Sequence, residues 1–350
     1  MSDKTLMKGN EALAEAAIIA GCRHYFGYPI TPQSEVPEYL ARHMPKVGGV
    51  FLQAESEVAA INMVMGAAAS GVRTMTSSSG PGLSLKQEGI STLAAGELPC
   101  VIVNVMRGGP GVGNILGAQG DYFQATKGGG HGDYKLLVFA PNSVQEMMDL
   151  TILAFEKADE YRTPAMLLTD GAIGQMMEPI DIPQPKNNMP AKPWAITGAK
   201  GREPITITTL ILEAADMEAK NKHLQEKYKL LAEKETRFQE MMTADADIIL
   251  VAYGLSSRIA LTVMQKARAQ GIKAGLFRPI TLSPFPYKQL DALADQAKSF
   301  LVVEQSAGQM LEDVKLAVNG KKPVEFHGRM GGALPEPADL LDILRTMSGK

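Results

Sequence analysis

The chain has 350 residues, 45% of them hydrophobic and 21% charged, and a formal net charge of −3. That length accommodates two domains, each with its own core, while the charge balance leaves no electrostatic footprint for nucleic acid or anionic lipid. No apolar run approaches the ~20 residues that cross a bilayer. Ser2, Asp3, Lys4 and Thr5 lead into a helical pattern with no signal-peptide hydrophobic region, so a cytoplasmic protein is expected.

Residues 8–22 carry Ala12, Leu13, Ala16, Ile19 and Ala20 on one helical face and stop at Gly21. A short strand over 24–28 runs into Tyr28-Pro29-Ile30-Thr31-Pro32-Gln33-Ser34. Pro29 and Pro32 fix φ on either side of Thr31 and remove two backbone donors. This loop presents a hydroxyl at its apex and cannot relax into a helix or a central strand. The alternation continues as strand 49–53, helix 56–70, strand 72–77, a Ser77-Ser78-Ser79-Gly80-Pro81-Gly82 turn, helix 83–95 and strand 100–106. After a long glycine-rich loop come strand 136–139, helix 143–159 and strand 165–169. Regular strand–helix order with short turns specifies a parallel sheet covered on both faces, an α/β domain over 1–177.

Residues 178–205 hold six prolines and read as an extended linker. From 209 to 244 the chain turns charged and helical. Leu224, Tyr228, Leu231, Phe238 and Met242 fall at spacings of four and three around Glu235, a narrow coiled-coil-like seam on one long helix. Such a helix either packs on its own domain or forms an intersubunit arm. A second α/β unit over 245–350 begins with strand 248–254. It continues through helix 257–270, strand 272–277, an Arg278-Pro279-Ile280-Thr281 turn, helix 287–297, strand 299–303, a further helix and strand 324–328, a small doubly wound arrangement.

Several residues carry candidate chemistry. Glu57 starts a helix that is hydrophobic nearly all round, which marks it as buried. Its carboxylate gains from the helix dipole, and it is also placed to meet a cofactor nitrogen in a dry interface. Ten glycines fall in the 26 positions from Arg107 to Gly132. They match neither a Walker phosphate loop nor a dinucleotide fingerprint, and leave a long loop at a strand's C-terminal end, where open α/β sheets bind ligands. Arg107 leaves its strand at that edge, able to hold a carboxylate bidentately or to lie on the solvated surface. His131 with Asp121 and Asp133 lacks metal-ligand spacing, and Thr169-Asp170-Gly171 has no partner asparagine for a magnesium–diphosphate site. Cys22 and Cys100 form no C-x-x-C and read as small core residues, which argues against a metal or cluster held by this chain.

Taken together, G-Y-P-I-T-P at 27–32, E-S-E at 55–57, the S-S-S-G-P-G turn at 77–82, R-G-G-P at 107–110, G-G-H-G-D at 129–133 and V-E-Q-S-A-G-Q-M at 303–310 resemble the α subunit of 2-oxoacid:ferredoxin oxidoreductases. The resemblance runs in order along almost the whole chain, and its wording is most like the 2-oxoisovalerate (3-methyl-2-oxobutanoate) enzyme. It implies a thiamine-diphosphate-fold pyrimidine-binding domain followed by a transketolase C-terminal-like α/β domain. It implies thiamine diphosphate shared with a diphosphate-binding β subunit, Mg2+ and [4Fe–4S] clusters on partner subunits, separate γ and ferredoxin-like δ chains, and no metal held here.

The same resemblance assigns roles. Glu57, rather than Glu55, hydrogen-bonds the aminopyrimidine ring and favours the imino tautomer that removes the thiazolium C2 proton. Thr31 sits beside the substrate carbonyl, Arg107 holds the substrate carboxylate, and Tyr28, Pro29 and Ser79 line the cofactor. A branched-chain 2-oxoacid is oxidatively decarboxylated to CO2 and acyl-CoA, with electrons passing to ferredoxin. Two alternatives stay open at this point: a 2-oxoglutarate-specific relative, with Arg73, Lys86 or Lys127 as its second cation, and a non-catalytic assembly scaffold.

Overall fold

A computed structural model describes residues 4–185 and 189–349. Its main sheet has seven strands, in spatial order Thr281–Ser283, Leu137–Phe139, Ala165–Asp170, Val101–Met106, Thr74–Ser78, His24–Gly27 and Val50–Gln53. Six of these run parallel. The strands Thr74–Ser78, Val101–Met106, Leu137–Phe139 and Ala165–Asp170 are buried along their whole length. Burial on both faces is why they read as continuous rather than alternating runs, and why helices cover both sides. All six parallel strands deliver their loops to one edge, which is where the site forms.

The second sheet has five strands, ordered Val324–Gly328, Ser299–Glu304, Ile248–Val251, Ala274–Pro279 and Phe238–Met241. The first four are parallel and the last is antiparallel to Ala274–Pro279. A further pair, Thr5–Lys8 with Met177–Ile180, closes the base of the first unit.

Several expectations change. The helix expected over 209–244 spans Ala214–Lys234 only, and Phe238 and Met242 lie beyond it, Phe238 in a strand. The seam ends because Glu235 is buried as an anion among Lys157, Arg237 and the Tyr161 hydroxyl. Leu224, Tyr228 and Leu231 join the same core as Leu13, Val101 and Phe155, so the helix packs on its own chain. Lys220, His223 and Lys227 fasten it to Glu97 at 2.6, 3.0 and 3.1 Å. Burial would raise that carboxyl, yet these bonds hold it down at about 2. The turn expected at 278–281 is instead the junction of two strands, the second of which completes the seven-stranded sheet. Arg278 is buried there in a bidentate pair with Glu146 at 2.7 and 2.6 Å. Helix Glu35–His43 was not expected at all, because Pro37 masks it; proline is tolerated in a first turn. Of the proline-rich linker, positions 186–188 lie outside the described residues, as do Ser2 and Asp3.

The two units meet through buried polar groups. Gln119, fully buried, donates from Nε2 to the Tyr253 carbonyl at 2.9 Å and accepts at Oε1 from Ser256 Oγ and the Gln305 N–H at 2.8 and 2.9 Å. Beside it Asp170 accepts from the N–H groups of Ala172, Ile173 and Leu255 at 2.9, 3.1 and 3.4 Å. Burial raises its pKa to about 6, against the lowering by these donors. An acid whose folded pKa lies above its unfolded value stabilises most below the unfolded pKa, and that contribution is lost as pH rises through the folded one. Asp170→Asn keeps an acceptor and cannot ionise. The stability advantage of wild type over this variant, measured by urea unfolding, should shrink between pH ~4 and ~6 and stay flat above; a constant difference contradicts the assignment.

Candidate active site

The proline loop is tied to the sheet by a buried relay. Gln33 Oε1 accepts from Ser77 Oγ, Ser77 Oγ meets Tyr25 Oη at 2.7 Å, and Gln33 Nε2 donates to the Tyr28 carbonyl at 3.3 Å. Tyr28, Pro29 and Thr31 are held exposed at the rim by this anchoring. Nothing in the sequence pattern sets Gln33 apart from its polar neighbours Thr31, Ser34 and Glu35.

Glu57 is the first residue of helix Glu57–Ala69, whose N-cap Ser56 accepts from the Ala59 N–H at 3.2 Å. It is 6% exposed, whereas Glu55 is exposed to solvent. Its carboxylate accepts no hydrogen bond among the described residues, and it lies against Gly82 and Ser78. A Cβ on Gly82 would stand 2.3 Å from both Glu57 Oε1 and Ser78 Oγ, so only glycine lets the two helices close over the acid. Ser78 and Ser79 are fully buried and their hydroxyls have no partner among the described residues. Ser79 is the N-cap residue of helix Gly80–Leu85, yet its side chain does not cap it. Three polar groups with unused hydrogen-bonding capacity thus gather where strand Thr74–Ser78 ends.

Arg107 latches two loops together. Nη1 donates to the Thr31 carbonyl at 2.9 Å and Nη2 to the Val112 carbonyl at 2.8 Å, while the buried Nε has no partner among the described residues. The structure therefore brings Arg107 to Thr31 through the Thr31 backbone. The guanidinium lines a cleft of about 730 Å³. Gly80, Pro81, Val112 and Asp121 form its near wall, and Gln305, Ser306, Gln309 and Met330 of the second unit form the far wall. Asp121, bonded to Asn104 Nδ2 at 2.9 Å, has its carboxyl pKa raised by burial and opposed by that bond and the Arg107 charge.

This sheet, with its loop cluster and a second α/β unit closing the cleft, defines an α/β protein that takes its ligand at the C-terminal ends of parallel strands. Residues 15–242 match the family described as "Pyruvate flavodoxin/ferredoxin oxidoreductase, thiamine diP-bdg". Residues 246–340 match "Pyruvate:ferredoxin oxidoreductase core domain II". The chain belongs to the 2-oxoacid:ferredoxin oxidoreductase family, as a subunit that works within a complex.

Among its relatives is the ketoisovalerate oxidoreductase subunit VorB of Methanothermobacter marburgensis, 53% identical over 346 residues, covering 99% of this chain and 98% of the relative. The 2-oxoglutarate synthase subunit KorA of Methanothermobacter thermautotrophicus is 37% identical over 378 residues, covering 99% and 100%. Among solved structures, the 2-oxoglutarate:ferredoxin oxidoreductase from Magnetococcus marinus, determined with 2-oxoglutarate, coenzyme A and succinyl-CoA bound, superposes with a TM-score of 0.84 at 26% identity. That match covers 98% of this chain and 65% of the longer one. A split-gene transketolase at 14% identity and a TM-score of 0.60, covering 97% and 95%, shares the fold.

The Gly82 contact sets up a comparison of two glycines. Gly66, exposed in the middle of helix Glu57–Ala69, has open space where its Cβ would be. Gly66→Ala should raise stability by about 0.5–1 kcal/mol, while Gly82→Ala should lower it, read as opposite shifts in denaturation midpoint. Equal gains from both substitutions contradict the close approach at Glu57.

Proposed function

We propose that this chain is the α subunit of an enzyme that oxidatively decarboxylates a branched-chain 2-oxoacid, 2-oxoisovalerate, to acyl-CoA and CO2 while ferredoxin takes two electrons. The observation that carries this reading is Glu57: a carboxylate at a helix start, buried without a hydrogen bond among the described residues, beside the unpaired Ser78 hydroxyl where strand Thr74–Ser78 ends. Such a set fits the polar edge of an aminopyrimidine. When bound, thiamine diphosphate supplies a nucleophilic carbon at its thiazolium C2. Glu57 holds a proton at the pyrimidine ring nitrogen, and its burial keeps water from competing for that bond. Thr31 lies beside the substrate carbonyl. Arg107 offers its unpaired Nε and remaining Nη protons to the substrate carboxylate, with Tyr28, Pro29 and Ser79 lining the cofactor.

The partner assignments rest on what this chain has to offer. Burial raises the thiol pKa of Cys22 to about 12 and of Cys100 further still, so neither is poised as a thiolate cluster ligand. On this reading the diphosphate and Mg2+ are held by a β subunit and the [4Fe–4S] clusters by partner subunits, with γ and ferredoxin-like δ chains completing the assembly and coenzyme A and ferredoxin as co-substrates. No described helix is long and apolar enough to cross a membrane, in keeping with a cytoplasmic complex.

Two points favour the branched substrate over 2-oxoglutarate. Identity to the ketoisovalerate subunit is 53%, against 37% for the 2-oxoglutarate subunit. A five-carbon diacid also needs a second cation. Arg73 is paired with Asp159 at 2.8 Å, Lys127 with Asp313, and Lys86 is fully buried.

The test is viologen reduction by the purified complex with a panel of 2-oxoacids and coenzyme A. The highest kcat/KM should fall on 2-oxoisovalerate; preference for 2-oxoglutarate overturns the substrate assignment. In the same assay Arg107→Met should lose transition-state stabilisation of about 2–5 kcal/mol, and Arg107→Lys should recover part, since lysine keeps the charge without the planar fork. A change within about twofold for Arg107→Met makes Arg107 a loop latch alone.

A further inference from the structure

Lys86 is among the largest fully buried side chains, and the catalytic reading above makes no use of it. It stands at the joint between helix Gly80–Leu85 and helix Gln87–Ala95. Gly82 precedes it by one turn and Gly89 follows it by nearly one. Gly82 abuts the Glu57 carboxylate, and a Cβ on Gly89 would stand 2.6 Å from Ile61 Cγ2, on the next turn of the Glu57 helix. Lys86 is therefore enclosed in the seam between its own helices and the Glu57 helix, flanked on both sides by their closest approach.

Its Nζ donates to Thr76 Oγ1 at 3.0 Å, a neutral hydroxyl on the strand beneath. Ser78, on the same face of that strand as Thr76, has its hydroxyl beside Glu57, and the charge that acts on the ammonium is Glu57. A cation and an anion, both buried and both lacking an ionic hydrogen bond, depend on each other for their charge. Burial lowers the Lys86 pKa to about 8 and the Glu57 charge opposes that, leaving the lysine largely cationic at neutral pH.

We propose that Lys86 is a positioning residue, a buried counter-charge behind Glu57 that holds its carboxylate directed toward the cofactor. The inference rests on the reading of Glu57 as the acid that meets the pyrimidine ring. The two hydrogen-bonding demands then divide cleanly: Thr76 satisfies a donor of the ammonium, while the carboxylate keeps its lone pairs for the ring. A hydrogen-bonded partner in place of Lys86 would occupy those lone pairs; a charge one shell behind does not.

The test uses exchange of the C2 proton of thiamine diphosphate bound in the assembled complex. Lys86→Gln keeps a donor for Thr76 and removes the charge, and should slow exchange about tenfold or more, whereas Lys86→Arg, which keeps the charge, should recover most of it. Equal losses in the two variants, or no loss in Lys86→Gln, overturn the proposal. Independently of cofactor, unfolding of the full-length chain at neutral pH compares Glu57→Gln, Lys86→Met and the double variant. The double variant should have a higher denaturation midpoint than Lys86→Met alone, because the uncompensated carboxylate is gone; simply additive losses overturn the pairing. Coupling in unfolding with normal exchange in Glu57→Gln leaves the pair intact and removes the role of Glu57 in cofactor activation, so the two failures are distinguishable.

Discussion

The close approach of the Glu57 helix to the segment Gly80–Ala95 governs the arrangement of the site. At Gly82 and Gly89 there is no room for a Cβ, and the missing side chains let the helices enclose a carboxylate and an ammonium that water would otherwise solvate. A charge in such a seam carries a large desolvation penalty unless another charge stands near it. Glu57 and Lys86 meet that condition together, and the serine-rich end of strand Thr74–Ser78 supplies hydroxyls left for a ligand.

A second constraint holds the opposite wall of the cleft. The segment from Arg107 to Asp121 has almost no regular structure, yet it is pinned at both ends. Gly108 donates to the Leu116 carbonyl and Asn114 Nδ2 reaches the Gly331 carbonyl, at 2.9 and 2.7 Å. At the other end Gln119 meets three groups of the second unit. Gly113 has φ +62°, and a Cβ there would stand 1.7 Å from the Gly108 carbonyl oxygen, so the loop folds back on itself only through glycine. Arg107 completes the frame by clasping Thr31 and Val112. The cleft therefore has walls from both units, and motion of one against the other would alter its width.

Much of this was legible in the sequence where the signal was local. Strand–helix alternation gave the α/β class and the proline pair gave the rim loop, whereas the apolar run after Glu57 buries one face of its helix only, with Val58, Asn62 and Gly66 exposed on the other. Elements decided by distant contacts were not legible. Thr281–Ser283 becomes a strand only because Leu137–Phe139 lies ready to pair with it. Phe238 and Met242 fit a helical spacing, but Glu235 is satisfied by Lys157 and Arg237, which ends the helix first. In the site, Glu57, Arg107 and Thr31 stood out by motif and by position at strand ends. Gln33 and Gln119 did not, and Lys86 stood out only as a candidate second cation for a diacid, since a lone polar residue acquires meaning only from the buried groups that the fold brings to it. Ser79 was found as a turn residue, whereas the unpaired state of its hydroxyl is visible only in three dimensions.

The account stands on Glu57 being the acid that activates the cofactor. The most direct measurement is deuterium exchange at C2 of bound thiamine diphosphate in the assembled complex, quenched and read by NMR, for Glu57→Gln beside Glu55→Gln. Glutamine preserves shape and hydrogen bonding but cannot stabilise a protonated ring nitrogen, so exchange in Glu57→Gln should fall by about 10²–10⁴ while Glu55→Gln stays near wild type. Normal exchange in Glu57→Gln, or a comparable loss in Glu55→Gln, contradicts it.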